Sequence, residues 1–136
     1  MVENVAPKQV WTALQADPTA RLVDVRTPAE WSYVGMPEIE ASARDPVLIP
    51  WQIFPTMHVN TEFVDHLKQA GLTAENRLYF LCRSGVRSLA AAAAAAAAGY
   101  PHVYNVLDGF EGPPDQDGHR GLVAGWKADG LPWRQR

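Results

Sequence analysis

Apolar residues in this chain fall into short continuous runs, and stretches with helical spacing separate those runs. Arg77-Leu78-Tyr79-Phe80-Leu81 is the strongest run, the pattern of a central strand buried on both faces. Arg21-Leu22-Val23-Asp24-Val25 and Val103-Tyr104-Asn105-Val106 read as two more strands, and Pro46-Val47-Leu48-Ile49-Pro50 as a shorter one. Helical spacing begins at Pro7, with Val10, Trp11 and Leu14 on one face, and stops at Asp17-Pro18. Thr27-Pro28-Ala29-Glu30 has the order of a helix start: an N-cap, proline at the first position and a capping-box glutamate at the third. Phe63, Val64 and Leu67 predict a helix over 61–68, closed by Gly71. Leu89 and nine consecutive alanines predict another over 87–98, stopped by Gly99-Tyr100-Pro101. Segment 35–46 is polar and without period, 51–60 reads as a loop, and 109–125 reads as a surface loop rich in glycine and proline. Trp126, Leu131 and Trp133 are expected to anchor the tail, and the tryptophans in general to pack.

Strands and helices therefore alternate. Alternation favours a three-layer α/β/α arrangement, with a mainly parallel sheet covered on both faces. Ligands in such sheets bind beyond the carboxyl ends of strands. Cys82 lies at one such end, and Asp24-Val25-Arg26 at another.

Composition narrows the function. The 136 residues suit one domain, 1–136, with one core. Hydrophobic residues at 47% and charged residues at 20% fit a globular chain. A net charge of −3 with scattered basic residues gives no nucleic-acid footprint. No apolar run is long enough to span a bilayer, so no membrane partner is expected. Met1 to Val5 lacks a basic region followed by an apolar one, so no secretory leader is expected. The single cysteine excludes an internal disulfide, a CxxC pair and a cysteine-rich zinc site, and the expected compartment is the reducing cytoplasm. His58, His66, His102 and His119 have no metal-ligand spacing. No nucleotide-binding or serine-hydrolase motif is present, so neither a metal nor a cofactor is expected.

The chemistry lies in Cys82-Arg83-Ser84-Gly85-Val86-Arg87, between the central strand and the alanine helix. A thiol there faces the N–H groups and positive end of a helix, which favours its anionic form. A loop that curls around an anion needs a residue free to adopt unusual backbone angles, and Gly85 supplies it. Arg87 can grip an anion with two parallel hydrogen bonds, and Arg83 can add positive potential at the rim. Ser84 and Val86 complete the loop and are taken as substrate-binding with Arg83, Gly85 and Arg87. Asp24 and Arg26 are expected to support the active loop as a scaffold ion pair. Glu30 is most simply the capping-box residue. Trp51 and Phe54 are candidates for the cleft wall.

The loop, together with Leu22-Val23-Asp24-Val25-Arg26-Thr27-Pro28-Ala29-Glu30-Trp31 and with Gly99-Tyr100, Val103 and Val106-Leu107-Asp108-Gly109, resembles the rhodanese-like sulfurtransferases over nearly the full chain. The resemblance implies a five-stranded parallel sheet with helices on both faces. It also implies that Cys82 takes a sulfane sulfur from a donor such as thiosulfate and passes it to a thiol, cyanide or protein acceptor. Three features depart from the family pattern. Val34-Gly35-Met36-Pro37-Glu38-Ile39-Glu40 stands where a Gly-His-Ile-Pro-Gly-Ala segment is common, Phe110 replaces a second glycine after Gly109, and a long loop over 112–125 precedes Trp126. The unusual loops over 34–60 and 112–125 also suit a binding or regulatory module that docks a partner in the cleft. Phosphatase or arsenate-reductase chemistry at the same thiol is disfavoured: phosphatases with a similar cradle place one more residue between cysteine and arginine, and no general acid for an alcohol leaving group is evident in the loop.

Overall fold

The computed structural model describes residues 2–39, 45–53 and 55–135. Five strands make one parallel sheet: β1 (Glu3–Val5), β2 (Ala20–Asp24), β4 (Val47–Leu48), β7 (Arg77–Leu81) and β8 (Val103–Val106), in spatial order β1-β8-β7-β2-β4. β7 is central, as its unbroken apolar run requires. Val23 pairs with Phe80 and Asp24 with Leu81, so β2 and β7 end at the same level.

Alternate residues of these strands feed two cores. Val23, Leu78 and Phe80 face Phe63 and Leu67 of α3 (Phe63–Gln69) and Ala91, Ala92 and Ala95 of α4 (Val86–Ala97). Leu22, Tyr79 and Leu81 face Val10 and Leu14 of α1 (Pro7–Ala16), with Phe110 and Trp126 from the C-terminal segment. Methyl side chains at Ala91, Ala92 and Ala95, each fully buried, let α4 lie close to the sheet, which is the physical use of the alanine tract. α2 (Pro28–Tyr33) starts with the predicted capping box: Thr27 Oγ1 accepts from the Glu30 N–H, and Glu30 Oε1 accepts from the Thr27 N–H.

Four local features differ from the sequence reading. β1 carries no strand signal of its own; its three residues lie against β8 at the sheet edge. Within the polar 35–46 stretch, β3 (Met36–Pro37) pairs antiparallel with β9 (Trp133–Arg134) and fastens the tail; positions 40–44 lie outside the described residues. The 51–60 loop contains a small hairpin of β5 (Gln52–Ile53) and β6 (His58–Val59). The 109–125 loop is a surface loop only in its middle: Phe110, Gly112 and Gly125 are buried, and Gly112 has no room for a side chain beside Ala124 O. Among the described residues, no helix is long and apolar enough to cross a membrane.

Candidate active site

Cys82 follows the last residue of β7, and the chain turns at once into α4. Gly85 makes the turn with φ 106°, the left-handed region in which a side chain is strained. That conformation points the Gly85 N–H at Cys82 Sγ, 3.1 Å away. Ser88, one turn into α4 and fully buried, brings its Oγ to 3.2 Å from the same sulfur. Cys82 is only 1% exposed, yet it lines a cavity of about 610 Å3. The free thiol therefore sits at the floor of a cleft, with two donors directed at it and the end of a helix behind it.

Ser88 is held in turn by Asn105 of β8, whose Oδ1 lies 2.5 Å from the hydroxyl. The Asn105 amide cannot be reversed without loss, because its Nδ2 donates to Gly85 O (3.1 Å) and to Asn4 Oδ1 (2.9 Å). A hydroxyl has one proton to give. With a protonated thiol, the Ser88 proton goes to Asn105 Oδ1 and the oxygen can accept from the S–H. With a thiolate, the hydroxyl can rotate and donate to sulfur. Replacing Ser88 by alanine removes this donor. The expected result is a drop of about tenfold in the rate of Cys82 alkylation by iodoacetamide at neutral pH, the weight of one hydrogen bond to a charged group. Ser88→Thr should restore most of it, and equal rates in all three proteins would show that the hydroxyl does not act on the sulfur.

The arginines divide by partner. Arg87 lines the cleft, but its guanidinium is bound in a fork to Glu30, Nη1 to Oε1 at 2.6 Å and Nη2 to Oε2 at 2.9 Å. Glu30 therefore does more than cap its helix, a second contact across 57 residues of sequence that no local pattern reveals. The Glu30 hydrogen bond and charge raise the Arg87 pKa against the opposing effect of burial, and the Cys82 sulfur adds to the raising. Burial pushes the Glu30 carboxyl up, but Arg87, the Thr27 N–H and the charge of Arg26 outweigh it and hold the group below its ordinary 4.5. A depressed carboxyl contributes stability that is complete above the ordinary value and is lost as pH falls through the lowered one. The stability gap between the native protein and Glu30→Gln, from urea unfolding, should be constant near neutrality and close as pH drops below 4.5. A gap independent of pH would show that the carboxylate charge contributes nothing.

Arg83 is exposed at the rim and lines the cavity with Ser84 and Val86. Val86 is 77% exposed, so the loop presents an apolar side chain to any incoming molecule. Asp24 and Arg26 are fully buried and stand outside the cavity lining. They form an ion pair, Arg26 Nη2 to Asp24 Oδ2 at 2.7 Å, and the Arg26 guanidinium lies 4.4 Å from the centre of the Phe110 ring. The Phe110 N–H donates to Cys82 O (2.8 Å), which links the pair to the active loop through one residue. Gly109 fits against the same loop so closely that a methyl group there would run into Cys82 O and Arg83 O. Trp51 does not wall the cleft: it meets Phe63 edge-on at 5.2 Å and lies outside the cavity lining. Phe54 lies outside the described residues. Lining residues with no sequence signal include Gln52 and Met57 of the hairpin, and Glu111 and Arg120 of the long loop. Among the described residues, no group of three or more metal-ligating side chains comes together.

Comparisons with known proteins match the chain along nearly its whole length. The family model described as the STR4 middle domain matches residues 2–136. The chain is similar to the uncharacterized protein RP600 of Rickettsia prowazekii, with 36% identity over 135 residues and 98% of each chain covered. It is also similar to the crystal structure of Rv0390 from M. tuberculosis, with a TM-score of 0.89 and 44% identity, covering 99% of this chain and 98% of that one. A more distant relative is the chloroplastic rhodanese-like domain-containing protein 4 of Arabidopsis thaliana, 28% identical over 130 residues, which cover 93% of this chain and 24% of that protein.

Proposed function

The chain belongs to the STR4 middle-domain family of rhodanese-like proteins, and from that membership we propose that it is a working sulfurtransferase, with Cys82 as the carrier of a sulfane sulfur. At the family level the fold is that of a sulfurtransferase-type domain. The observation that carries the finer reading is the sulfur itself: Sγ lies at a cavity floor with the Gly85 N–H at 3.1 Å and the Ser88 hydroxyl at 3.2 Å.

In the first half-reaction the Cys82 thiolate attacks the outer sulfur of thiosulfate. The Cys82 S–S bond forms, the sulfur–sulfur bond of thiosulfate breaks, and sulfite leaves with the electron pair. In the second, an acceptor such as cyanide or a thiolate attacks the terminal sulfur, and the Cys82 thiolate is regenerated. Total charge is conserved in both steps. The acceptor is oxidised as the sulfane sulfur is reduced, so no external oxidant or reductant is needed, which fits a cycle run by one cysteine without a resolving thiol. The N–H and O–H donors at Sγ are placed to stabilise the negative persulfide formed there. Arg87, fixed by Glu30, contributes positive charge rather than an open fork.

Incubation with thiosulfate should add the mass of one sulfur atom to the intact protein, localised to the Cys82 peptide, and cyanide should remove it with formation of thiocyanate. Steady-state rates should show ping-pong kinetics. A protein that gains no mass from thiosulfate or from any persulfide donor would overturn the reading.

A further inference from the structure

The cleft is larger than its proposed chemistry requires. Thiosulfate is a few-atom anion, whereas a cavity of about 610 Å3 falls in the range of sites for substantial organic ligands. Arg87, at the end of the Cys82 loop, is taken by Glu30. Two other guanidiniums line the cavity, Arg83 and Arg120, and neither has a carboxylate partner among the described residues.

Their placement is built by Gly112. Its N–H donates to Arg83 O at 3.1 Å, and its own carbonyl accepts from Arg120 Nη1 at 2.6 Å. Gly112 is wedged against Ala124 O, and the Gly121 N–H donates to Glu111 O at 2.6 Å, so both ends of the long loop are tied where Arg120 enters the cleft. One N–H anchors the half-buried Arg120 and leaves the rest of its fork for a planar anion. Glu111 lines the same cavity, and its carboxylate makes no ion pair among the described residues. It disfavours a purely anionic guest and suits one that also carries an ammonium group. Val86 and Met57 supply apolar contact between these groups.

We propose that Arg120, with Arg83, forms a carboxylate subsite at the cleft, and that the donor served best is an organic persulfide of the amino-acid or peptide type. This inference rests on the sulfurtransferase reading for its chemistry. The Cys82 thiolate attacks the outer sulfur of R–S–SH, that S–S bond breaks, and R–S− leaves as the Cys82 persulfide forms. Charge and atoms balance with no added oxidant or reductant. Glutathione persulfide carries the required groups, the persulfide of 2-mercaptoethanol lacks them, and thiosulfate is compact enough to need only the Cys82 loop.

The test measures single-turnover loading of Cys82 by intact mass with these three donors, in the native protein, Arg120→Gln and Arg120→Lys. For glutathione persulfide, Arg120→Gln should raise the half-saturating concentration about tenfold, the weight of a charge-assisted contact, with Arg120→Lys between the two. Loading by the other two donors should change less than about twofold. An equal loss for all three donors, or no loss for any, overturns the subsite. S-methylglutathione, which has no sulfur to give, separates this proposal from the one it rests on. Its binding by NMR titration should weaken about tenfold in Arg120→Gln even if no donor loads Cys82, and equal binding to both proteins overturns the subsite whatever the fate of the sulfur chemistry.

Discussion

Cys82→Ser should take up no sulfur from any donor, and thiocyanate production from thiosulfate and cyanide should fall by at least about 10^4-fold, the scale seen when a covalent nucleophile is removed. A serine hydroxyl stays protonated at neutral pH, and neither group on Sγ, the Gly85 N–H or the Ser88 hydroxyl, is a base that takes its proton. The substitution replaces sulfur with a smaller oxygen and keeps a hydrogen-bonding group in the same place, so folding stability should change by no more than about 1 kcal/mol. That separation between activity and stability makes the experiment decisive. Loss of activity with an unchanged thermal midpoint identifies the sulfur as the carrier. If Cys82→Ser turned over at an appreciable fraction of the native rate, Cys82 would be a packed residue and the cleft would serve another purpose, such as docking a partner.

Much of this site is legible in the sequence because its chemistry is local. Cys82, Gly85 and Arg87 fall within six consecutive positions, and an apolar run on one side with a helix former on the other fixes them at a strand end. The layers are legible for a similar reason: β2, β7 and β8 are apolar runs, α1 carries its buried face at helical spacing, and α4 is marked by its alanine tract. What the sequence hides depends on long-range pairing or on weak local signals. β1 has three residues and gains its strand character only from β8. The hairpin of β5 and β6 turns through Met57 at φ 58°, a conformation usually marked by glycine or asparagine, and methionine gives no such warning. Glu30 is fully explained by its capping box until Arg87 is placed beside it. Ser88 follows Arg87 directly, but only the fold shows that Asn105 governs its proton. Arg120 sits in a loop whose composition suggests exposure, and it reaches the cleft because Gly112 allows the backbone to fold back on itself.

Asp24→Ala should destabilise the fold far more than Cys82→Ser does, by about 3–5 kcal/mol, because it leaves Arg26 charged, buried and without its counter-ion. Both side chains are fully buried, and Asp24 accepts from the Arg26 backbone N–H (3.1 Å), from Nε (2.9 Å to Oδ1) and from Nη2 (2.7 Å to Oδ2). Gly35 O takes one further N–H at 2.8 Å, and the Phe110 face lies against the guanidinium; neither neutralises it. For a domain of this size the loss corresponds to a fall in thermal midpoint of roughly 10–20 °C. The double variant Asp24→Ala with Arg26→Met removes both charges, and it should recover a large part of that loss, since replacing a buried pair costs far less than breaking it. The double variant also tests the link to the site. Phe110 would keep its hydrogen bond to Cys82 O but lose the cation above its ring. A double variant with near-native stability and slowed sulfur loading would show that the pair holds the active loop in position as well as the scaffold. If Asp24→Ala alone cost under about 1 kcal/mol, Arg26 would have to reach solvent, and the buried pair could not be the element that fixes the strand ends beside Cys82.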